Sequence, residues 1–258
     1  MSTFAFISML SSLPLISCIC VTRGRPYLLN GAISCFAAQT YPNKELVIVY
    51  EKDDEQTCRY INSLQTLLYI RCICIEPSPE KKLGYLRNYA IEQSHGVYIC
   101  QWDDDDWYHC QRLEEQYNTL HTAGLTACVL NRWLMFDHTN QKAYISMKRM
   151  WEGSLLCRKD VLQNIHYDNK SMGEDSIVIM KLHRQKQVHI INTPHLYIYN
   201  YHGANTWHYA HWNGFFNISI LLDESTSHNI HAILQHQYNI TEASALLDDI
   251  MDFNKHLI

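Results

Sequence analysis

Glycine is scarce in this 258-residue chain, at 9 residues, and neither GxGxxG nor GxxxxGK[ST] occurs. A glycine-rich phosphate cradle is thereby excluded, so a bound phosphate is expected to be held through a metal and side chains. Positive charge is also in deficit. Lys and Arg number 21 against 26 Asp and Glu, for a formal net charge of -5, which argues against a nucleic-acid partner. No stretch approaches the roughly 18 uninterrupted apolar residues that read as a membrane-spanning helix. No CxxC pair occurs among the ten cysteines, so zinc-ribbon spacing is absent. Residues Met1 to Leu13 are apolar and serine-rich, but no basic residue precedes Arg23, and a secretory signal wants one. They read as a lead-in to the first strand, with an anchor on a membrane surface as the alternative.

The chain does hold enough apolar material, 47% of its residues, to bury one substantial core. Cys18 and Cys20 alternate with isoleucine and valine, as do Cys72 and Cys74. Each pair is therefore expected on one face of an apolar strand, where cysteine behaves as a small hydrophobe. Core thiols imply a reducing compartment. The expected location is cytoplasmic, with peripheral membrane contact left open.

The first half alternates strand and helix. Strands are expected over Leu15 to Val21, Glu45 to Tyr50, Tyr69 to Ile75 and Val97 to Trp102. Helices are expected from Pro26 to about Gln39, then to about Leu67, and from Leu83 to Gln93. This repetition predicts an α/β fold, a Rossmann-like, mainly parallel sheet with helices on both faces. Ligands in such sheets lie beyond the carboxyl ends of the strands, where the loops carry Arg23, Arg25, Glu51, Asp53, Asp54 and the run Asp103-Asp104-Asp105-Asp106. The second half is less regular. Strands are expected over Cys128 to Phe136 and Lys142 to Met147, joined by a turn at His138-Thr139-Asn140, and over Val188 to Ile191 and Leu196 to Tyr201. Helices are expected over Arg158 to Ile165, from Gly173-Glu174-Asp175 to about Gln185, and from about Thr241 to Phe253. One domain is expected over 1–258, with a nucleotide-binding half (14–106), an acceptor and catalytic half (107–220) and a C-terminal helical tail (221–258).

Four successive aspartates repel one another unless a cation compensates. Mg²⁺ with a diphosphate takes one or two protein carboxylates, and Mn²⁺ suits the same ligands; the other reading is a solvated acidic turn. The flanking Trp102 and Trp107 suggest partial burial and favour the metal. At an extended strand end residues two apart share a face, so Asp103 would pair with Asp105 and Asp104 with Asp106.

Four blocks together resemble the family 2 glycosyltransferases, an inverting group with a GT-A fold: PLISCICVTRGRPYLL from Pro14, AQTYPNKELVIV from Ala38, GYLRNYAI from Gly84 with GVYICQWDDDDW from Gly96, and GEDS from Gly173. They match, in order, patterns close to PxVSVIIPTYNRPxxL, QTYPNxEIIVV, GxARNxGI…GxYIxxLDxDD and a late GED, over about Pro14 to Leu182. The resemblance implies transfer of a sugar from a nucleotide-sugar donor, a UDP-sugar favoured, to a glycan, lipid-linked or protein acceptor, assisted by Mn²⁺ or Mg²⁺. It implies that Thr22, Arg23 and Arg25 line the nucleotide pocket, that Glu51 or Asp53 meets the base, and that Arg87 and Asn88 lie near it. Asp103 and Asp105 match the metal-and-nucleotide DxD positions, Asp105 the more direct metal ligand, which leaves the pair Asp104 and Asp106 to turn to the nucleoside or back to the fold. Asp175 or Glu174 matches the catalytic base, and His202 the histidine near diphosphate and metal. Trp107, Trp151 and Trp207 are candidates for the sugar and acceptor pocket, plain packing being the other reading. Gly24 and Arg23 stand where the family carries Asn and Tyr, and Tyr50-Glu51-Lys52-Asp53 replaces a common Asp-Asp-Gly-Ser. The QxxRW of processive members is absent, which favours adding one sugar or few. Two other functions fit less well. A sugar nucleotidyltransferase would carry a glycine- and lysine-rich signature near the first strand, of which Arg23-Gly24-Arg25 is a poor version. A non-catalytic, metal-dependent glycan-binding module would have no need for Glu174-Asp175.

Overall fold

A computed structural model describes residues 13–64 and 69–257. Twelve strands are described: β1 Ile16–Val21, β2 Lys44–Glu51, β3 Ile70–Ile75, β4 Tyr98–Gln101, β5 Trp107–Tyr108, β6 Ala127–Leu130, β7 Leu134–Asp137, β8 Lys142–Ile145, β9 Leu156–Arg158, β10 Val188–Ile191, β11 Tyr197–Tyr201 and β12 Ile220–Leu221. Seven form the main sheet in the order β3-β2-β1-β4-β9-β6-β10. Its neighbours run parallel except at β9, which is antiparallel to β4 and β6. This is the mainly parallel α/β sheet that the strand-helix repetition predicts. The expected lead-in lies outside the described residues apart from Leu13, as does the far end of the helix expected to reach Leu67.

The sheet is buried on both faces, which is why β1 and β2 read as continuous apolar runs rather than alternating ones. Ile16, Cys18 and Cys20 of β1 pack with Leu46 and Ile48 of β2 on one side. Ile19 packs with Val47 and Val49 on the other. Helix Pro26–Ala37 begins with proline in its first turn, where the missing N–H costs nothing. Helix Glu55–Ser63 is capped by Asp54, which accepts a hydrogen bond from Thr57 N at 3.1 Å. A second sheet, β12-β8-β7-β11-β5, stands against the first. Trp102, at the end of β4, packs on Tyr108 of β5, and Tyr108 meets Tyr197 of β11 edge to face. The C-terminal helices Glu224–Leu234 and Ile240–Asn254 cover this second sheet and β5. Among the described residues no helix is long and apolar enough to cross a membrane.

Three expectations are corrected. The single strand expected over Cys128 to Phe136 is two strands in different sheets, β6 and β7. Asn131 N is bonded to Ile191 of the first sheet, whereas Trp133 N takes Ser146 Oγ beside the second. An unbroken apolar run serves both cores, and periodicity does not mark the crossing. Cys72 and Cys74 do share a face, but both are exposed, because β3 is the edge strand of the main sheet; Cys18 and Cys20 on central β1 are fully buried. Helices Arg112–Ala123 and Tyr209–Asn217 were not expected from the sequence, whereas Glu224–Leu234 falls within the expected helical tail.

Candidate active site

The carboxyl ends of β1, β2 and β4 lie side by side because the strands are parallel and in register. From β1 the chain passes into Thr22, Arg23 and Arg25, from β2 into Asp53 and Asp54, and from β4 into the four aspartates. Helix Leu83–Gln93 brings Arg87 to the same rim. Gly84 makes this possible: a Cβ there would lie 1.8 Å from the Asp168 carbonyl oxygen, so only glycine lets the helix approach the loop that leads to Glu174. Gly173, at φ +69°, turns that loop into helix Glu174–Arg184, and this left-handed conformation suits a residue without Cβ. These elements surround a cleft of about 760 Å³ lined by Thr22, Arg23, Arg25, Arg87, the four aspartates, Trp151, Glu174, Asp175 and Trp207.

Asp104 and Asp106 are buried and Asp103 and Asp105 less so, but the run is a turn beyond β4 and not the expected extended strand end, and Asp104 and Asp106 do not share partners. Asp104 is 1% exposed; it accepts a hydrogen bond from Thr22 Oγ1 at 2.6 Å and pairs with Arg25 at 2.6 Å. Asp106 is buried on the other side, bonded to the Tyr197 hydroxyl and to Asn200 N at 3.0 Å. Asp103 and Asp105 are the more open pair. Asp105 Oδ2 lies 2.6 Å from Arg25 and 3.3 Å from His202 Nε2. Asp103 pairs with Arg87 at 2.9 Å and takes the Gln101 amide at 3.2 Å.

The charges sort these carboxyls. Burial pushes Asp104 up to about 7, aided by Asp105 and opposed by Arg25. Asp106 is raised well above the ordinary range by burial and by Asp105 and Asp103. Burial acts against the ionised form of Asp105 too, but there the hydrogen bond from His202 and the charge of Arg25 win, and its pKa falls below the usual value. Asp105 is thus the member of the run best kept as a carboxylate.

Arg87, only 6% exposed, is the hub of a second network. It reaches Glu174 at 2.5 Å and Asp175 at 3.4 Å as well as Asp103. Glu174 is buried and its pKa is raised, chiefly by burial, with Arg87 opposing. The Asp175 side chain keeps a quarter of its surface exposed to the cleft. The two candidates for the base are therefore unlike: Glu174 is buried and close to Arg87, whereas Asp175 is farther from Arg87 and partly exposed to the cleft.

Other expected residues fall elsewhere. Trp107 does not line the cleft; it is 2% exposed in the core, where β5 pairs with β11. The strand period expected of the aspartate run carries no information about a tryptophan beyond the strand end. Asn88 faces the loop, not the cleft: it exchanges two hydrogen bonds with the Tyr167 backbone, at 2.8 and 3.0 Å. Arg23 clamps Glu51 and, in a two-pronged pair at 2.8 and 2.9 Å, Asp53. Asp53 borders a separate recess of about 400 Å³ with Arg23, Asp54, Gln56 and Arg59. Arg149 and Glu152 line the main cleft and were not singled out from the sequence. Neither sits in a motif, and only the fold brings them near Asp175.

Among the described residues no three His, Cys, Asp or Glu side chains converge as a closed metal cage. Asp105 and His202 do converge, from two sequence-distant loops. A hard cation that keeps waters and shares diphosphate oxygens takes only one or two protein ligands, and carboxylate with imidazole suits Mn²⁺. The residues present therefore fit such an ion: Asp105 and His202 would be the residues to hold it, Asp103 being paired with Arg87.

A parallel α/β sheet with an acidic cleft beyond its carboxyl edge, backed by a second sheet, is the architecture of the GT-A glycosyltransferases, and solved structures bear the likeness out. The chain matches residues 1–349 of S. aureus TarS in complex with UDP-GlcNAc with a TM-score of 0.63 at 14% identity, over 86% of this chain and 72% of that one. It matches the mannosyltransferase PcManGT from Pyrobaculum calidifontis, in complex with GDP-Man and Mn²⁺, with a TM-score of 0.54 at 14% identity, over 93% and 75%. The model of glycosyl transferase family 2 matches residues 17–179, and the chain belongs to that family. Among curated proteins it is 24% identical over 195 residues to an uncharacterised glycosyltransferase of Haemophilus influenzae, covering 72% of this chain and 68% of the relative. It is 29% identical over 107 residues to another from Rickettsia typhi, of which it covers 32%.

Proposed function

We propose that the protein transfers a sugar from a nucleotide-diphosphate sugar, a UDP-sugar favoured, to an acceptor hydroxyl with inversion at the anomeric carbon. The observation that carries this is the meeting, in one cleft, of an ionised Asp105 with His202 on one side and an open Asp175 on the other. A bound Mn²⁺ or Mg²⁺ would supply Lewis-acid stabilisation to the diphosphate that leaves.

The chain's own residues divide the remaining work. Thr22, Arg23 and Arg25 border the nucleotide, with Glu51 or Asp53 toward its base in the recess beside Arg23. Arg25 brings a guanidinium to the rim, where negative charge develops on the leaving oxygen. Asp175 accepts the proton of the acceptor hydroxyl as that oxygen attacks the anomeric carbon from the face opposite the diphosphate, a contribution of about 10²- to 10⁴-fold for general-base catalysis. Glu174 stays on Arg87 and keeps that arginine in place. Trp151 and Trp207 offer aromatic faces to sugar rings. The test is incubation of the full chain with Mn²⁺ and a panel of nucleotide sugars. Release of nucleoside diphosphate, by transfer or slow hydrolysis, supports the reading. Pyrophosphate release from a nucleoside triphosphate would replace it with nucleotidyl transfer, and glycan binding without turnover would replace it with a binding module.

A further inference from the structure

Glu152 opens a short 3-10 turn, Glu152–Ser154, on the floor of the cleft and is 7% exposed. Its Oε1 is doubly held, by Arg149 at 2.5 Å and by the hydroxyl of Ser176 at 3.2 Å. No other residue among those described donates to its Oε2, which is not sealed from the cleft, and an ionised carboxylate has capacity for about four hydrogen bonds. Burial raises the pKa of Glu152, Arg149 opposing, which fits a carboxyl given fewer donors than its charged form takes.

The turn is fixed at both ends of the reacting zone. On one side, Arg112 donates to the Gln101 carbonyl at 3.0 Å and to the Gly153 carbonyl at 3.3 Å, tying the turn to the strand end that carries the aspartates. On the other, Ser176 directly follows Asp175. Arg149 in turn lies over the Phe215 ring at 5.4 Å, so it cannot swing away from Glu152 without losing that contact. Glu152 therefore stands between the aspartate rim and the base. If the diphosphate lies at the rim and the attacking hydroxyl at Asp175, the sugar bonded to one and attacked by the other must occupy that interval.

We propose that Glu152 is a specificity-determining residue of the donor-sugar subsite, its Oε2 accepting a hydrogen bond from a ring hydroxyl of the transferred sugar. The proposal rests on the glycosyl-transfer reading above and adds to it the group that tells a nucleotide sugar from a bare nucleoside diphosphate. A carboxylate oxygen held facing the cleft favours a ligand that brings a matching hydroxyl over one that lacks it.

The experiment is calorimetric titration of the full chain, with Mn²⁺, by UDP and UDP-N-acetylglucosamine and by GDP and GDP-mannose, for the wild type and Glu152→Gln. Glutamine keeps an oxygen for Arg149 and Ser176 and puts an N–H donor where Oε2 was. For whichever sugar donor the wild type binds, the variant is expected to lose about tenfold or more in affinity, the scale of a hydrogen bond to a charged group. Affinity for the matching nucleoside diphosphate should stay within about twofold. A parallel loss for both ligands would assign Glu152 to packing alone, and no loss for either would remove it from the subsite. Ser176→Ala separates positioning from folding: it should reproduce part of the selective loss with an unchanged melting temperature, and an equal loss for the diphosphate would overturn the assignment. Failure of the wild type to bind any of the four ligands would instead sink the glycosyl-transfer reading itself.

Discussion

Replacing Arg87 by methionine tests the charge organisation of the cleft. Arg87 is buried, touches Asp103, Glu174 and Asp175, and sits 5.7 Å from the Tyr167 ring. Methionine keeps much of the volume but leaves Glu174, itself 2% exposed, as a buried carboxylate without a partner. Breaking a buried pair by removing one member costs about 3–5 kcal/mol, a large share of the roughly 5–15 kcal/mol that holds a domain together. Asp103 and Asp175 are partly exposed and should add little to that sum. The sign with pH follows from Glu174, whose pKa is already raised in the fold and loses its main opposing influence in the variant. A carboxyl raised in the folded state binds more protons there than in the unfolded chain. Its penalty is therefore absent below the unfolded value and grows as pH rises toward the folded one. Urea unfolding at pH 8 should show the full deficit relative to wild type, and at about pH 4.5 only a small part of it. The double variant Arg87→Met, Glu174→Gln should recover much of the loss at pH 8. A deficit that is equal at both pH values, or under about 1 kcal/mol at pH 8, the level of a surface pair, would refute the claim that Arg87 is the buried counter-ion of Glu174.

Three further outcomes are expected. Asp105→Ala should abolish turnover and remove the Mn²⁺-dependent part of nucleoside diphosphate binding in calorimetry; full activity would dismiss the metal site. Asp175→Asn should leave donor affinity within about threefold while single-turnover transfer falls by about 10²-fold or more, and normal transfer would move the base elsewhere. His195, packed against His109 and 3.7 Å from Asp248, has its pKa lowered from 6.5 to about 4, chiefly by burial. The unfolded chain then binds the extra proton first, so stability falls as pH drops from 6.5 towards 4, by about 2 kcal/mol at pH 5 relative to pH 8; His195→Gln should flatten that part of the melting-temperature profile, and an unchanged slope would show that His195 is not its source.

Much of the first half was legible because its physics is local. Alternating apolar strands and capped helices recur every few residues, and the parallel order that follows puts the ends of β1, β2 and β4 together without further information. The aspartate run was legible as a feature but not in its geometry: a strand period would put Asp104 and Asp106 on one face, whereas the turn beyond β4 gives Asp104 to Thr22 and Arg25 and Asp106 to Tyr197 and Asn200. The second half could not be read this way. The apolar run from 127 to 137 feeds two sheets, and the helix Arg112–Ala123 hides a regular stripe of Leu113, Gln116, Tyr117 and Leu120 behind two polar-looking members. Glu152 and Arg149 carry no motif, and their place beside Ser176 depends on a turn held by a buried arginine 37 residues or more away in sequence. Trp107 shows the converse: a tryptophan next to four acids invites a ligand-facing role, yet its strand pairs with β11 and turns it into the core.

Carboxyl groups only slightly outnumber cations along the main cleft, which bears on how it would receive the proposed anionic donor. Asp103, Asp104, Asp105, Glu174 and Asp175 are paired with Arg25 and Arg87, and Arg23, Lys81, Lys82 and Arg149 also line the main cleft. Part of the excess is muted because Asp104 and Glu174 have raised pKa values. What remains ionised is concentrated on the open side, at Asp105. There Arg25 and a divalent cation would compete for the same oxygen, since Arg25 holds Asp105 Oδ2 at 2.6 Å with His202 at 3.3 Å behind it. A cation that takes Asp105 frees one arm of Arg25, and the freed guanidinium then has a diphosphate oxygen as its natural partner. A cation and a diphosphate would thereby favour each other's binding through Arg25.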